Sequence, residues 1–172
     1  ATFARSRRGG TGRGSVEPMC PVAWPIVQIR PFEERDRAQV VALWQAVDLT
    51  RPWNDPDRDI DRKLDDSPWG LLVAVEGAAM IGVAMVGYDG HRGSVNYLAA
   101  DPDWRGRGVA RALMDRAEAL LLARGCPKIN LQVRGTNTKV IEFYQRRGYR
   151  LEGADHVVNL GMRLVEDGPR AD

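Results

Sequence analysis

The stretch "DPDWRGRGVARAL", residues 101–113, sets Gly106 and Gly108 among Arg105, Arg107 and Arg111, directly ahead of a run with helical spacing. The first N–H groups of a helix have no internal partners, and its macrodipole leaves partial positive charge at that end. Glycines let a ligand approach the backbone closely, and the guanidinium groups add full charge. These residue types in this order suit an anion, a diphosphate best. The pattern is neither a P-loop, since the lysine and Ser/Thr ending is missing, nor a dinucleotide fingerprint, which needs a third glycine and a strand-end acid. On these residues alone, a tight turn with solvated arginines is an equally good reading.

Charge is unevenly distributed along the chain. Residues 104–150 carry eleven basic against three acidic side chains, whereas residues 31–66 carry ten acidic against six basic. One end of the domain is suited to an anion and the other to a cation. Over the whole chain the net charge is +2, and Arg5, Arg7, Arg8 and Arg13 in the N-terminal stretch account for it. The remainder has no general electrostatic reason to bind nucleic acid. With 44% hydrophobic and 28% charged residues over 172 positions, the composition is that of one soluble domain. No apolar run approaches the ~20 residues needed to span a bilayer, so no membrane attachment is expected. Two isolated cysteines, Cys20 and Cys126, suggest neither a disulfide framework nor a metal cluster, and a cytoplasmic setting is the expectation.

The elements that must position the glycine-arginine stretch follow from periodicity. Residues 1–21 are rich in Arg and Gly and read as a disordered tail, residues 22–166 as the domain, and residues 167–172 as a C-terminal tail. "IVQIRP" alternates as a strand, and "FEERDRAQVVALWQAV" has the apolar spacing of a helix. Asp55 and Pro56 open a second helix as cap and first residue. "GLLVAVE", "MIGVAMVGY" and "SVNYLAA" are strands separated by turns at Gly77 and "DGHRG". A long helix then runs to Gly125, "KINLQVR" is a strand, "NTKVIEFYQRR" a helix stopped by Gly148, and "YRLEG" and "HVVNLGMRL" two last strands. The order is β-α-α-β-β-β-α-β-α-β-β, a mixed sheet with helices on both sides in one α/β domain.

In that context Arg105-Gly106-Arg107-Gly108-Val109-Ala110 follows a strand and opens a helix, matching Gln/Arg-x-x-Gly-x-Gly/Ala. A second motif, "NTKVIEFYQRRGYR", carries Asn137, Tyr144, Gly148 and Tyr149. With both motifs in this order, residues 26–165 resemble the GNAT superfamily of N-acetyltransferases. The strings "DLTRPWNDP" and "GYDGHRG" also look like those of a bacterial subgroup of it. The resemblance implies the GNAT fold, acetyl-CoA as cosubstrate and no metal. It implies that backbone N–H groups from Arg107 to Ala110, including Gly108 and Val109 and made approachable by Gly106, hold the CoA pyrophosphate, with Arg105 and Arg111 reinforcing it. Leu98, Ala99 and Ala100 would offer a splayed strand edge to the pantetheine arm. Asn137 would contact the pantetheine or cap the next helix.

The same resemblance makes Tyr144 the proton donor to the departing thiolate, the reading preferred here, although it shares an apolar face with Val140 and Phe143 that would also suit a core residue. Many relatives carry a base in or near the fourth strand, yet "SVNYLAA" holds no carboxylate; Asn96 or Ser94 could instead orient a water. His91 reads as a turn residue and Asp101 as a cap, and no base is assigned. Trp53 is a pocket candidate, Trp44 core, and Asp57 and Asp59 candidate contacts for an acceptor. The implied activity is acetyl transfer to a primary amine by direct attack in a ternary complex. The expected acceptor is cationic, a small amine or a protein amino group. The rival readings are a non-catalytic acyl-CoA sensor and an RNA-associated protein acting through its tail; whether the chain forms a homodimer is left open. Gly108→Glu should lower acetyl-CoA affinity more than tenfold, over about 1.4 kcal/mol, in a domain that still folds. Unchanged affinity by calorimetry would remove the cradle.

Overall fold

The computed structural model describes residues 27–152 and Met162. Both expected tails lie outside the described residues, as does "HVVNLGMRL" apart from Met162. Residues 149–152, expected to begin a strand, are not in one.

"LLVAV" is apolar at every position because it lies in the middle of a sheet covered on both faces. It forms β2 (Leu71–Glu76), which pairs antiparallel with β1 (Gln28–Pro31) on one side and β3 (Ala79–Tyr88) on the other. β4 (Gly93–Ala100) runs antiparallel to β3, and β5 (Ile129–Asn130) parallel to β4, giving the order β1-β2-β3-β4-β5. Side chains alternate between two cores. Leu72, Ala74 and Ile81 meet α3 (Val109–Ala123) and α4 (Thr138–Arg146) through Leu113, Met114, Ala117 and Tyr144. Leu71, Val73 and Val75 meet α1 (Arg37–Ala46) and α2 (Pro56–Asp66) through Val40, Trp44 and Ile60. Among the described residues no helix is long and apolar enough to cross a membrane.

The helix ends follow their local signals. Asp55 accepts from the N–H groups of Asp57 and Arg58, at 2.9 and 3.2 Å, with Pro56 in the first position of α2. α3 and α4 both end on a left-handed glycine, Gly125 (φ 74°) and Gly148 (φ 93°). In each the following N–H reaches back, Cys126 to the Leu121 carbonyl at 3.0 Å and Tyr149 to that of Tyr144 at 3.1 Å, which closes the helix.

Two further expectations needed correction. The first helix is preceded by a 3-10 turn, Glu34–Asp36, because the Asp36 carboxylate turns back to accept from the Glu33 N–H at 2.9 Å. "KINLQVR" keeps only two residues in the sheet, and the cause lies in β4. Its pairing with β3 runs from Tyr88↔Gly93 to Met85↔Asn96, then resumes at Val83↔Ala99, so Tyr97 and Leu98 together oppose Ala84. Tyr97 takes φ 51° in this bulge. A bulge bends and twists its strand, and β4 meets β5 only at Gly93↔Ile129 and Ser94↔Asn130.

The buried carboxylate of Asp36, 3% exposed, is gripped by both guanidinium nitrogens of Arg30 at 2.7 and 2.8 Å, tying β1 to the start of α1. The Arg30 hydrogen bonds hold the Asp36 carboxyl below the usual carboxylate range. Its contribution is therefore complete above the unfolded value of about 3.9 and is lost as pH falls toward the folded value. Asp36→Asn should destabilise the protein by about 3 kcal/mol at pH 7, the low end for removing one partner of a buried pair. The acid limb of its stability curve should flatten, so that denaturant melts of the two proteins converge at low pH; parallel curves would contradict this account.

Candidate functional site

β4 leads directly into the glycine-arginine stretch. The Asp101 N–H returns to the Ile81 carbonyl at 2.9 Å, and the Asp101 carboxylate accepts from the Asp103 N–H at 2.8 Å, capping the 3-10 turn Pro102–Trp104. Gly106 (φ 76°) and Gly108 (φ 82°) then take left-handed conformations that aim the chain into α3. The N–H groups of Gly108, Val109, Ala110 and Arg111 have no hydrogen-bond partner among the described residues. This moves the expected donor set by one residue. The Arg107 N–H is engaged by the Trp104 carbonyl at 3.2 Å, and the Arg107 guanidinium lies over the Trp104 ring at 4.9 Å. Arg105 and Arg111 are exposed beside the row of donors. Arg111 also borders a basic hollow of about 410 Å³ with Phe143, Arg146 and Arg147.

A single missing side chain sets where this helix begins against the sheet. A Cβ on Gly82 would stand 2.6 Å from Cγ1 of Val109, so only glycine lets the first turn of α3 rest on β3. Gly82 pairs with Ala100, which puts the open N–H groups next to the end of β4. Beyond Ser94 the outer edge of β4 has no strand partner among the described residues, and Leu98, Ala99 and Ala100 lie on it. At about 3.3 Å per residue these three provide about 10 Å of open edge. Asn137 stands at the start of α4 without a side-chain capping bond.

Tyr144 lies in the core under α4, 7% exposed, with the Phe143 and Tyr149 rings at 5.1 and 5.5 Å. It also lines a cavity of about 500 Å³ with Leu131, Val133 and Ile141, where the chain has parted from β4. Burial pushes its phenol up to about 12, so it holds its proton at neutral pH.

On the opposite face, α2 and β4 enclose a cleft of about 530 Å³ bordered by Leu49, Asn54, Asp59, Arg62, Asn96 and Tyr97. The Tyr97 hydroxyl donates to Oδ2 of Asp59 at 2.6 Å and accepts from Nδ2 of Asn54 at 3.4 Å. Its ring stacks on Trp44, with centroids 4.3 Å apart. Oδ1 of Asp59 accepts from Arg62 at 3.1 Å. Asn96 and Asp59 are thus brought together, while two other acceptor candidates are not. Asp57 faces Arg37, which binds its carbonyl at 3.2 Å and its carboxylate at 3.5 Å, and it does not border the cleft. Trp53 is 50% exposed and also lies off the cleft lining. Asp89 accepts from the N–H groups of His91 and Arg92 at 2.7 and 2.6 Å, which makes that pair a turn.

Sequence reasoning passed over Tyr97. In a regular strand Asn96 and Tyr97 face opposite sides; the bulge turns both toward the cleft, and no residue in "SVNYLAA" announces it.

Residues 38–149 match the model of the acetyltransferase (GNAT) family. An acetyltransferase of Sodalis glossinidius is 51% identical over 141 residues, covering 82% of this chain and 98% of that protein. Among solved structures, Ard1 of Thermoplasma volcanium shares the fold at a TM-score of 0.67 with 24% identity, over 74% of this chain and 84% of that one. AAC(6′)-Iy, in complex with the bisubstrate analogue CoA-S-monomethyl-acetylneamine, superposes at 0.66 with 18% identity, over 80% and 98%. The match to the family model and the identity to an acetyltransferase over most of both chains settle the family: the chain belongs to the GNAT family and is an N-acetyltransferase.

Proposed function

We propose that the chain transfers the acetyl group of acetyl-CoA to a primary amine by direct attack, with both substrates bound together. The observation that carries this reading is the row of unpartnered N–H groups from Gly108 to Arg111. Four aligned donors at a helix start, flanked by Arg105 and Arg111, suit a diphosphate. The open edge at Leu98, Ala99 and Ala100 is suited to the amides of a pantetheine arm. Acetyl-CoA supplies an activated thioester; the chain's own residues bind, orient and manage protons. An N–H of the open edge can polarise the thioester carbonyl, a contribution of about 2.7–4 kcal/mol for comparable donors. The cleft at Asp59 and Tyr97 lies on the other face of the same strand, which favours an acceptor reaching the thioester from the α1 and α2 side. The bisubstrate complex of AAC(6′)-Iy offers an analogy for simultaneous occupancy.

Tyr144 acts in this reading as a hydrogen-bond donor to the leaving sulfur. With its phenol near 12 and a thiol near ~8.5, complete proton transfer is uphill by about 5 kcal/mol. A shared proton that stabilises developing thiolate charge is not. The acceptor is cationic in this reading, held by Asp59, whose side chain is 18% exposed; Asp57, bound to Arg37, is left out of that role.

The test is a panel of small amines and peptides assayed for thiol release with acetyl-CoA. Release dependent on an amine is expected, and acetyl-CoA binding without any amine-dependent release would favour the sensor. Tyr144→Phe keeps the ring and should lower kcat by about 100-fold with acetyl-CoA affinity nearly normal. Wild-type turnover would leave Tyr144 as core alone. Gly125→Glu is the control for Gly108→Glu, since both sites have φ above 70°. Both variants should lose stability to backbone strain, but only Gly108→Glu should lose acetyl-CoA affinity.

A further inference from the structure

Resting on the transfer reading, we infer that Tyr97 is the group that takes the proton from the acceptor ammonium, and that Asp59 positions it and receives its proton. Two locally unfavourable features converge on the Tyr97 ring. Its backbone sits at φ 51°, unusual for a bulky residue. It is stacked on Trp44, whose fully buried Nε1–H is a side-chain donor without a partner among the described residues. Such strain persists where surrounding contacts over-determine a geometry, and it concentrates at functional sites. Here the geometry delivers a phenol oxygen to a cleft beside the open edge of β4, with a carboxylate oxygen 2.6 Å behind it.

The charged groups facing that hydroxyl across the cleft come from α2: Asp59, Arg62, Lys63 and Asp66. β3 contributes Met85, and α1 contributes Trp44, neither of which titrates. Lys63 is directed to the Ser67 hydroxyl at 2.5 Å, and Arg62 to Oδ1 of Asp59, leaving Oδ2 to the phenol. A proton leaving the acceptor's nitrogen goes to the Tyr97 oxygen as the Tyr97 proton passes to Oδ2 of Asp59. The neutral amine then forms the N–C bond as the thioester C–S bond breaks. Its second proton ends on the CoA thiol, and Asp59 returns the first to solvent. The strand lacks a carboxylate because the carboxylate comes from α2.

The experiment compares kcat/KM for the best amine of the panel from about pH 6 to pH 10 in the wild type, Tyr97→Phe and Asp59→Asn. Acetyl-CoA affinity is measured by calorimetry alongside. Tyr97→Phe retains the stacked ring and should lose about 100-fold or more at neutral pH. The deficit should close as pH approaches the amine's own value, near 10 for an alkylammonium, where no base is needed. Asp59→Asn should show the same pH-dependent deficit, about tenfold, and neither should change acetyl-CoA affinity. A loss equal at every pH, a parallel loss of acetyl-CoA affinity, or wild-type rates in both variants would overturn the assignment and leave the transfer reading standing. A wild type that binds acetyl-CoA but acetylates no amine would overturn both. If Tyr97→Phe does not fold, Asp59→Asn decides through kcat at saturating amine: a fall that closes toward pH 10 supports the relay, and a loss confined to KM, as for a lost acceptor contact, overturns it.

Discussion

The candidate site is arranged around one break in the hydrogen-bond ladder. Where Tyr97 and Leu98 together oppose Ala84, β4 changes direction and leaves β5 after Ser94. A regular β4 would pair with "KINLQVR" along its length, satisfying the edge and closing the gap. The bulge leaves the second half of the strand with backbone groups that require a partner, and it turns consecutive side chains to one face. A non-glycine residue at φ 51° is strained by on the order of 1 kcal/mol. The Trp44 ring and the Asp59 carboxylate hold it there.

The two faces of the sheet divide the work. On one, α3 begins over Gly82 with four open N–H groups, and its apolar side seals the core through Leu113, Ala117 and Leu121. On the other, α1 supplies Trp44 and α2 supplies Asp59, both meeting Tyr97. The strand between them belongs to both: Leu98 and Ala100 pack toward α3, while Tyr97 and Ala99 pack toward α1. A ligand held at the helix start and a second molecule in the cleft would therefore meet across one strand.

Most of the carboxylates of residues 31–66 that the sequence offers to a cation meet arginines inside that layer. Arg30 binds Asp36, Arg37 binds Glu34, Asp57 and Asp61, and Arg62 binds Asp59. These pairs hold α1 against α2 and β1; they localise charges of both signs and leave the net charge of the segment unchanged. On the cleft wall two carboxylates, Asp59 and Asp66, stand beside two cations, Arg62 and Lys63.

Local chemistry made much of this legible from residues alone. Asp55-Pro56 starts a helix, Gly125 and Gly148 end two, and "LLVAV" belongs in a covered sheet, because each effect acts within a few residues of its cause. The helix start at the glycine-arginine stretch is legible for the same reason, since a helix start carries its own open donors; the Arg107 N–H, expected among them, is instead engaged by the Trp104 carbonyl three residues back. The bulge, the short β5 and the cleft are different. They depend on which strand lies beside β4, on a ring from α1 and on a carboxylate from α2, 38 residues before Tyr97 in the chain. Asp57 and Asp59 look alike in sequence, two residues apart on one helix. Helical geometry turns them by about 200° relative to each other, so one meets Arg37 and the other meets Tyr97, and only the packed structure decides which of them reaches the cleft.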